Sequence, residues 1–125
     1  MEKVQGVGGV FFRARDPDAL RAWYRDHLGV DTLPQVWMQS AGPTVYEPFA
    51  ADTEYFGRSE QQWMINFRVA DLDALTAQLE AAGIEVMTKA EWDADEIGRF
   101  ARTHDPEGNP IELWEPAASA GPSEG

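Results

Sequence analysis

The segment Phe12-Arg13-Ala14-Arg15-Asp16-Pro17-Asp18-Ala19-Leu20 recurs further along the chain as Phe67-Arg68-Val69-Ala70-Asp71-Leu72-Asp73-Ala74-Leu75, with six of nine positions identical. A unit longer than a solenoid repeat and present only twice implies two copies of one supersecondary module closing on a shared core, not an open array. The groove between the copies is the first place to look for a site.

Both copies share one grammar. Val10, Phe12 and Ala14 alternate with Gly9, Phe11, Arg13 and Arg15, the period of a strand with two different faces. Asp16-Pro17 then sets an N-cap before a proline at the first helical position, and Asp18 adds a charge that the helix dipole favours. Leu20, Trp23, Tyr24, His27 and Leu28 follow at helical spacing, with Trp23 and Tyr24 on the buried stripe and Gly29 as the stop. In the second copy Ile65, Phe67 and Val69 share one strand face, Asp71 is the cap, and Leu72, Leu75, Leu79 and Ala82 run to Gly83. Each helix should lead into a hairpin. Residues 36–39 and 44–47 flank Ser40-Ala41-Gly42-Pro43 in the first copy, and 98–103 and 110–114 flank Asp105-Pro106-Glu107-Gly108-Asn109 in the second. The expected organisation is one domain over 1–116, with module one at 5–50, a polar linker at 51–62, module two at 63–116 and a disordered tail at 117–125.

At 125 residues the chain is long enough to bury a core without staples, and it has no cysteine for a disulfide or a thiolate site. Its start lacks the pattern of a signal peptide and no apolar run is long enough for a membrane helix, so the expectation is a cytoplasmic protein that engages no membrane. A formal charge of −12 repels phosphate backbones, which argues against nucleic acid as a partner. No nucleophile stands beside a base, and neither a phosphate loop nor a dinucleotide fingerprint occurs.

Two βαβββ units, the second closed by Asp105-Pro106-Glu107-Gly108-Asn109-Pro110-Ile111-Glu112-Leu113-Trp114-Glu115-Pro116, together with the helix end Trp23-Tyr24-Arg25-Asp26-His27-Leu28-Gly29, resemble the vicinal oxygen chelate superfamily. That superfamily holds glyoxalases, extradiol dioxygenases and bleomycin resistance proteins. The resemblance implies an α+β, glyoxalase-like fold in which two tandem modules form a curled mixed-sheet cup. It also implies a homodimer.

Metal-using members take ligands from the first and last strands of the modules. The resemblance puts those positions at Gly9, Met64 and Glu112, with Glu47 in the closing strand of module one as a further carboxylate. Glycine offers no ligand and a thioether is a soft one, so at most Glu112 and Glu47 remain, fewer than the three a catalytic zinc or iron site uses. The expectation is therefore no cofactor, and a divalent metal ion held by Glu112 and Glu47 is the alternative.

If Gly9 and Met64 mark inward positions, strand parity turns Phe11, Arg13, Asn66 and Arg68 into the cup. Arg13 and Arg68 occupy equivalent places and suit an anionic ligand, or else each pairs with the acid at the following cap, Asp16 or Asp71. Trp37, Tyr46, Trp63 and Trp114 lie on or beside strands and either line the cup for a flat ligand or pack in the core. Glu112 is either a shielded general base or a carboxylate held by Asn66, an arginine or a backbone amide. His27 reads as structural at a helix end, and His104 as a rim or exposed residue.

Two functions compete. One is a metal-free binding protein of the bleomycin-resistance kind, with Phe11, Arg13, Trp37, Tyr46, Met64, Asn66, Arg68 and Trp114 around a small molecule. The other is a lyase, isomerase or dioxygenase of glyoxalase type using Glu112 as base or metal ligand. A scaffold role on another protein is a third reading.

Overall fold

Local capping decides the helices. In the computed structural model, which describes residues 1–32 and 36–118, helix α1 (Pro17–Leu28) begins where the Asp16 carboxylate accepts from the Ala19 amide at 3.1 Å. It ends at Gly29, whose φ of 72° belongs to the left-handed region and whose amide returns to the Arg25 carbonyl. Strand β1 (Ile65–Arg68) precedes helix α2 (Leu72–Ala81), capped in the same way by Asp71 on the Ala74 amide at 3.0 Å. A short 3-10 turn (Ala90–Trp92) leads to strand β2 (Gly98–His104), and the hairpin closes with strand β3 (Pro110–Pro116).

The sheet has the order β1-β3-β2, with β1 parallel and β2 antiparallel to β3. The fold is thus α+β, a small mixed sheet of three strands with two helices. Both helices lie on one side of it. Leu20 and Tyr24 of α1, Leu72 and Leu79 of α2, and Ala101, Ile111 and Leu113 of the sheet form one buried cluster, edged by Trp23, Leu28, Ile65, Phe67 and Val69. Trp23 and Tyr24 both belong to this packing, as the helical spacing predicts.

The β2 edge depends on a glycine. Gly98 has a φ of 129°, and a Cβ there would overlap the Glu115 carbonyl oxygen and stand 2.8 Å from the Ala117 amide. The turn between β2 and β3 is tied inward by Asp105, a buried carboxylate that accepts from the Glu107 and Asn109 amides and the Asn109 side chain. Its fourth donor is the Tyr24 hydroxyl at 2.7 Å. Glu107 in the same turn accepts from the Arg15 and Asp16 amides, so the second hairpin clasps the start of the first helix.

The expected strands at 7–15, 36–39 and 44–47 do not form; among the described residues every strand lies beyond residue 64. Alternation makes a segment able to be a strand, but a strand exists only where a second backbone takes its amides and carbonyls. Among the described residues these segments find none, and Val10, Phe11, Val36, Met38, Val45 and Tyr46 stay exposed. The tail expected at 117–125 falls largely outside the described residues, since 119–125 are not among them.

Candidate functional site around Glu112

Ile111 and Leu113 face the helices, so Glu112 between them faces the other side of the sheet. In register with it stand Asn66 on β1 and Arg102 on β2, a row of three across the strands. The Asn66 side-chain amide donates to Glu112 Oε1 at 2.8 Å, and the Tyr55 hydroxyl donates to Oε2. Arg102, the cross-strand cation, does not take the carboxylate. Its Nη2 donates to the Tyr55 carbonyl at 3.0 Å, and its guanidinium lies over the Tyr55 ring, 4.7 Å from the centroid. Tyr55 thus sits between acid and base. Its phenol is pushed up to about 12, first by burial and then by the hydrogen bond and charge of Glu112.

Of the residues read from the sequence, the structure brings Asn66 and Glu112 together. Arg68 turns away, donating to the carbonyls of Pro43 and Ser40 at 3.1 and 2.7 Å, so it holds the segment 40–43 and, among the described residues, pairs with neither the cap acid nor Glu112. Trp114 is buried, its indole stacked on Phe100 at 6.1 Å and its Nε1 donating to the Ile97 carbonyl, which leaves it no open face. Met64 is half-buried on the segment entering β1. Trp37 meets Phe67 on the core side at 6.2 Å, and Trp63 meets Phe12 at 5.2 Å. Phe11 and Tyr46 are 94% and 88% exposed; Arg13 and Glu47 are exposed as well. Among the described residues no hydrogen bond or ring contact joins those four to Glu112. His27 packs on Trp23 in the last turn of α1, and His104 is exposed.

The residues that sequence reasoning missed come from the linker and the β2 edge. Tyr55 lies in a stretch read only as polar, although Phe49, Tyr55 and Phe56 mark it as aromatic; the rings of Phe49 and Tyr55 stack at 5.7 Å. Arg102 has the strand parity of Phe100 and His104, and hairpin pairing through the 105–109 turn would have set it opposite Glu112. Beside Tyr55 a cavity of about 230 Å³ is lined by Glu54, Tyr55, Met87, Lys89, Trp92, Arg102 and His104. A slightly larger hollow of about 280 Å³ lies at the far end of the hairpin, lined by Asp93, Asp95, Arg99 and Glu115 among others. Two of its carboxylates are occupied by backbone, Asp93 accepting from the Phe100 amide and Glu115 from the Leu72 amide, so that hollow is part of the scaffold.

Strand order, helices on one side and the closing 110–116 strand define a glyoxalase-like α+β domain. The chain matches the glyoxalase-like domain family over residues 9–114 and belongs to that family. Among solved structures it is similar to the crystal structure of TnmS3, an antibiotic binding protein from Streptomyces sp. CB03234, with a TM-score of 0.58 and 22% identity over 94% of this chain and 100% of that one. At that identity the likeness is one of fold. No curated protein matches the chain.

Metal-using relatives within the wider superfamily raise the question of a divalent ion. Among the described residues no three His, Cys, Asp or Glu side chains are gathered closely enough to hold one. Both oxygens of Glu112 accept hydrogen bonds from neutral donors, and Glu47 is exposed.

Proposed function

We propose that this protein is a glyoxalase/bleomycin resistance-like binder that takes a small molecule in a cup between its two modules, without the superfamily's metal, in the cytoplasm and as a homodimer. The observation that supports it best is the state of Glu112: its carboxylate accepts from Tyr55 and Asn66, two neutral donors that fix its direction, while Glu47, the other candidate ligand, is exposed. A carboxylate held so is a recognition group, and neither a free base nor an open metal ligand. The name of TnmS3 makes antibiotics a reasoned first set of ligands.

The dimer follows from the first module. Its extended segments carry exposed apolar residues at 10, 11, 36, 38, 45 and 46 and have no ladder among the described residues. Unpaired, alternating backbone of that kind finds its partner in a second copy. Pairing there would curl the sheet and bring Phe11, Arg13 and Tyr46 over Glu112, completing the cup. The absence of cysteine suits a reducing compartment.

A thermal-shift series with antibiotics and flat aromatic compounds, each run with chelator and with Mn, Fe, Ni, Co or Zn, tests the reading. The expected result is stabilisation by a compound in chelator, about 2.7 kcal/mol at a concentration one hundred times its Kd. Strong stabilisation by a metal alone, with no compound effective, overturns it in favour of a metal-dependent enzyme. Light scattering after gel filtration should return the mass of two chains.

A further inference from the structure

We propose that the cavity between Tyr55 and Trp92 binds the carboxylate of a small, one-ring aromatic acid. This deepens the small-molecule reading and rests on it, but places the anion on residues outside the cup positions named above.

The charges around this cavity run against those of the chain. The protein has 22 acidic and 10 Lys and Arg residues, yet two cations converge here on one indole. Lys89 Nζ stands 5.4 Å from the Trp92 ring centroid, and the Arg102 guanidinium 5.9 Å from the same ring and 4.7 Å from Tyr55. Among the described residues neither has a carboxylate within salt-bridge distance, although Arg15, Arg21, Arg25 and Arg99 each have one.

The donors of Arg102 are also under-used. Nη2 donates to the Tyr55 carbonyl, and Nε is buried with no acceptor. Nε has no surface open to the cavity, so a ligand oxygen meets the guanidinium through Nη1, which makes no hydrogen bond among the described residues. A planar carboxylate matches a guanidinium fork and a neighbouring ammonium at once.

The walls specify the rest of the ligand. Tyr55 and Trp92 offer ring faces, and Met87 a polarisable thioether. At about 230 Å³ the space is below the roughly 300–1,000 Å³ of drug-sized sites, which limits the ligand to about one ring. Glu54 also lines the cavity; it is exposed and repels an anion, so the carboxylate goes to the Lys89 and Arg102 side and the ring toward Met87. His104, exposed at the rim, borders the entrance.

Benzoate and its neutral isostere benzamide separate charge recognition from ring stacking. Calorimetric titration of the full chain at neutral pH should show benzoate binding about tenfold or more tightly than benzamide, the range of a charge-assisted hydrogen bond. Lys89→Gln, a change at an exposed side chain, should weaken benzoate several-fold and leave benzamide unchanged; Arg102→Gln should weaken it further if that variant folds. In an amide correlation spectrum the Trp92 indole N–H should move with benzoate while that of Trp114, bonded to Ile97, stays. No saturable binding of benzoate in the millimolar range, equal binding of the two probes, or an unchanged benzoate affinity in Lys89→Gln overturns the proposal. An antibiotic that stabilises both variants as well as the wild type while benzoate is silent leaves the small-molecule reading standing and removes this one. Benzoate binding as expected while every larger compound fails supports this proposal and narrows the small-molecule reading to one-ring acids.

Discussion

Replacing Tyr24 by phenylalanine removes one oxygen and tests whether the second hairpin holds the first helix. The Tyr24 hydroxyl donates at 2.7 Å to Asp105, a buried carboxylate whose other donors, at 2.7–3.0 Å, all lie within its own turn. The ring stays, with its edge contacts to Phe12, Trp23 and Phe67, so no cavity term enters. A hydrogen bond to a charged acceptor contributes about 1.5–3 kcal/mol, and three surviving donors put the loss near the lower end. With a urea slope of about 1–3 kcal/mol per molar, the midpoint of Tyr24→Phe should fall by about 1 M at unchanged slope. Asp105→Ala leaves the two turn amides and the Asn109 side chain without their acceptor and should cost about 3 kcal/mol or more. In the double mutant the two losses should overlap by about 1–2 kcal/mol. The dependence on pH carries a sign. Burial, and then the hydrogen bond and charge of Asp105, raise the Tyr24 phenol well above its usual range. The folded state therefore holds a proton that the unfolded chain releases near pH 10, so this stability is complete below about pH 10 and is lost as pH rises beyond it. Tyr24→Phe lacks that loss, and the gap to wild type should narrow in alkali. A midpoint within error of wild type, or strictly additive losses with Asp105→Ala, would falsify the reasoning.

Tyr55→Phe should cost about 1 kcal/mol in urea, since Glu112 keeps only its bond from Asn66. In a spectrophotometric alkaline titration it should delete an ionisation near pH 12, and persistence of that step assigns it elsewhere. Gly98→Ala meets both a left-handed φ of 129° and the Glu115 carbonyl, so a melting temperature lowered by at least the equivalent of about 1–3 kcal/mol is expected; an unchanged melt refutes the close approach.

The helices were legible because each is decided locally. Asp16-Pro17, Asp71 and Gly29 act within a turn of themselves, and the structure uses all three as the sequence implies. The second hairpin was legible for a related reason: Asp105, Gly108 and Asn109 close a turn whose geometry sets the register from Thr103↔Ile111 to Gly98↔Pro116. That register yields the Asn66–Glu112 contact from parity alone. Tyr55 and Arg102 were not legible in the same way. Tyr55 lies in an irregular stretch without periodicity, and its route onto Glu112 is a tertiary event. Arg68 shows the limit of repeat symmetry. It occupies the same place as Arg13 and follows the same local sequence, yet one side chain binds two carbonyls of the 40–43 turn and the other is exposed.

That difference bears on why two similar sequence segments end in different surroundings. Both copies begin with an aspartate cap and a helix, and both helices reach the same core. They part at the hairpin. The second has Asp105, whose carboxylate satisfies the turn amides and reaches back to Tyr24, so turn, strands and first helix are fixed as one unit. The first has Ser40-Ala41-Gly42-Pro43, in which the carbonyls of Ser40 and Pro43 are taken by Arg68 from the other copy. Arg68 thereby ties residues 40–43 to β1, while the segments on either side are exposed and, among the described residues, without a ladder. Glu112 is consequently placed by β3, flanked by Asn66 of β1 and covered by Tyr55, while α1 joins the core and residues 40–43 are held by Arg68. Replacing Arg68 by Lys keeps the charge but removes the fork that spans two carbonyls. It should make residues 36–47 more readily cleaved in limited proteolysis while leaving β1, β2 and β3 intact, and equal cleavage of 36–47 in both proteins would show that Ser40 and Pro43 are held by something other than Arg68.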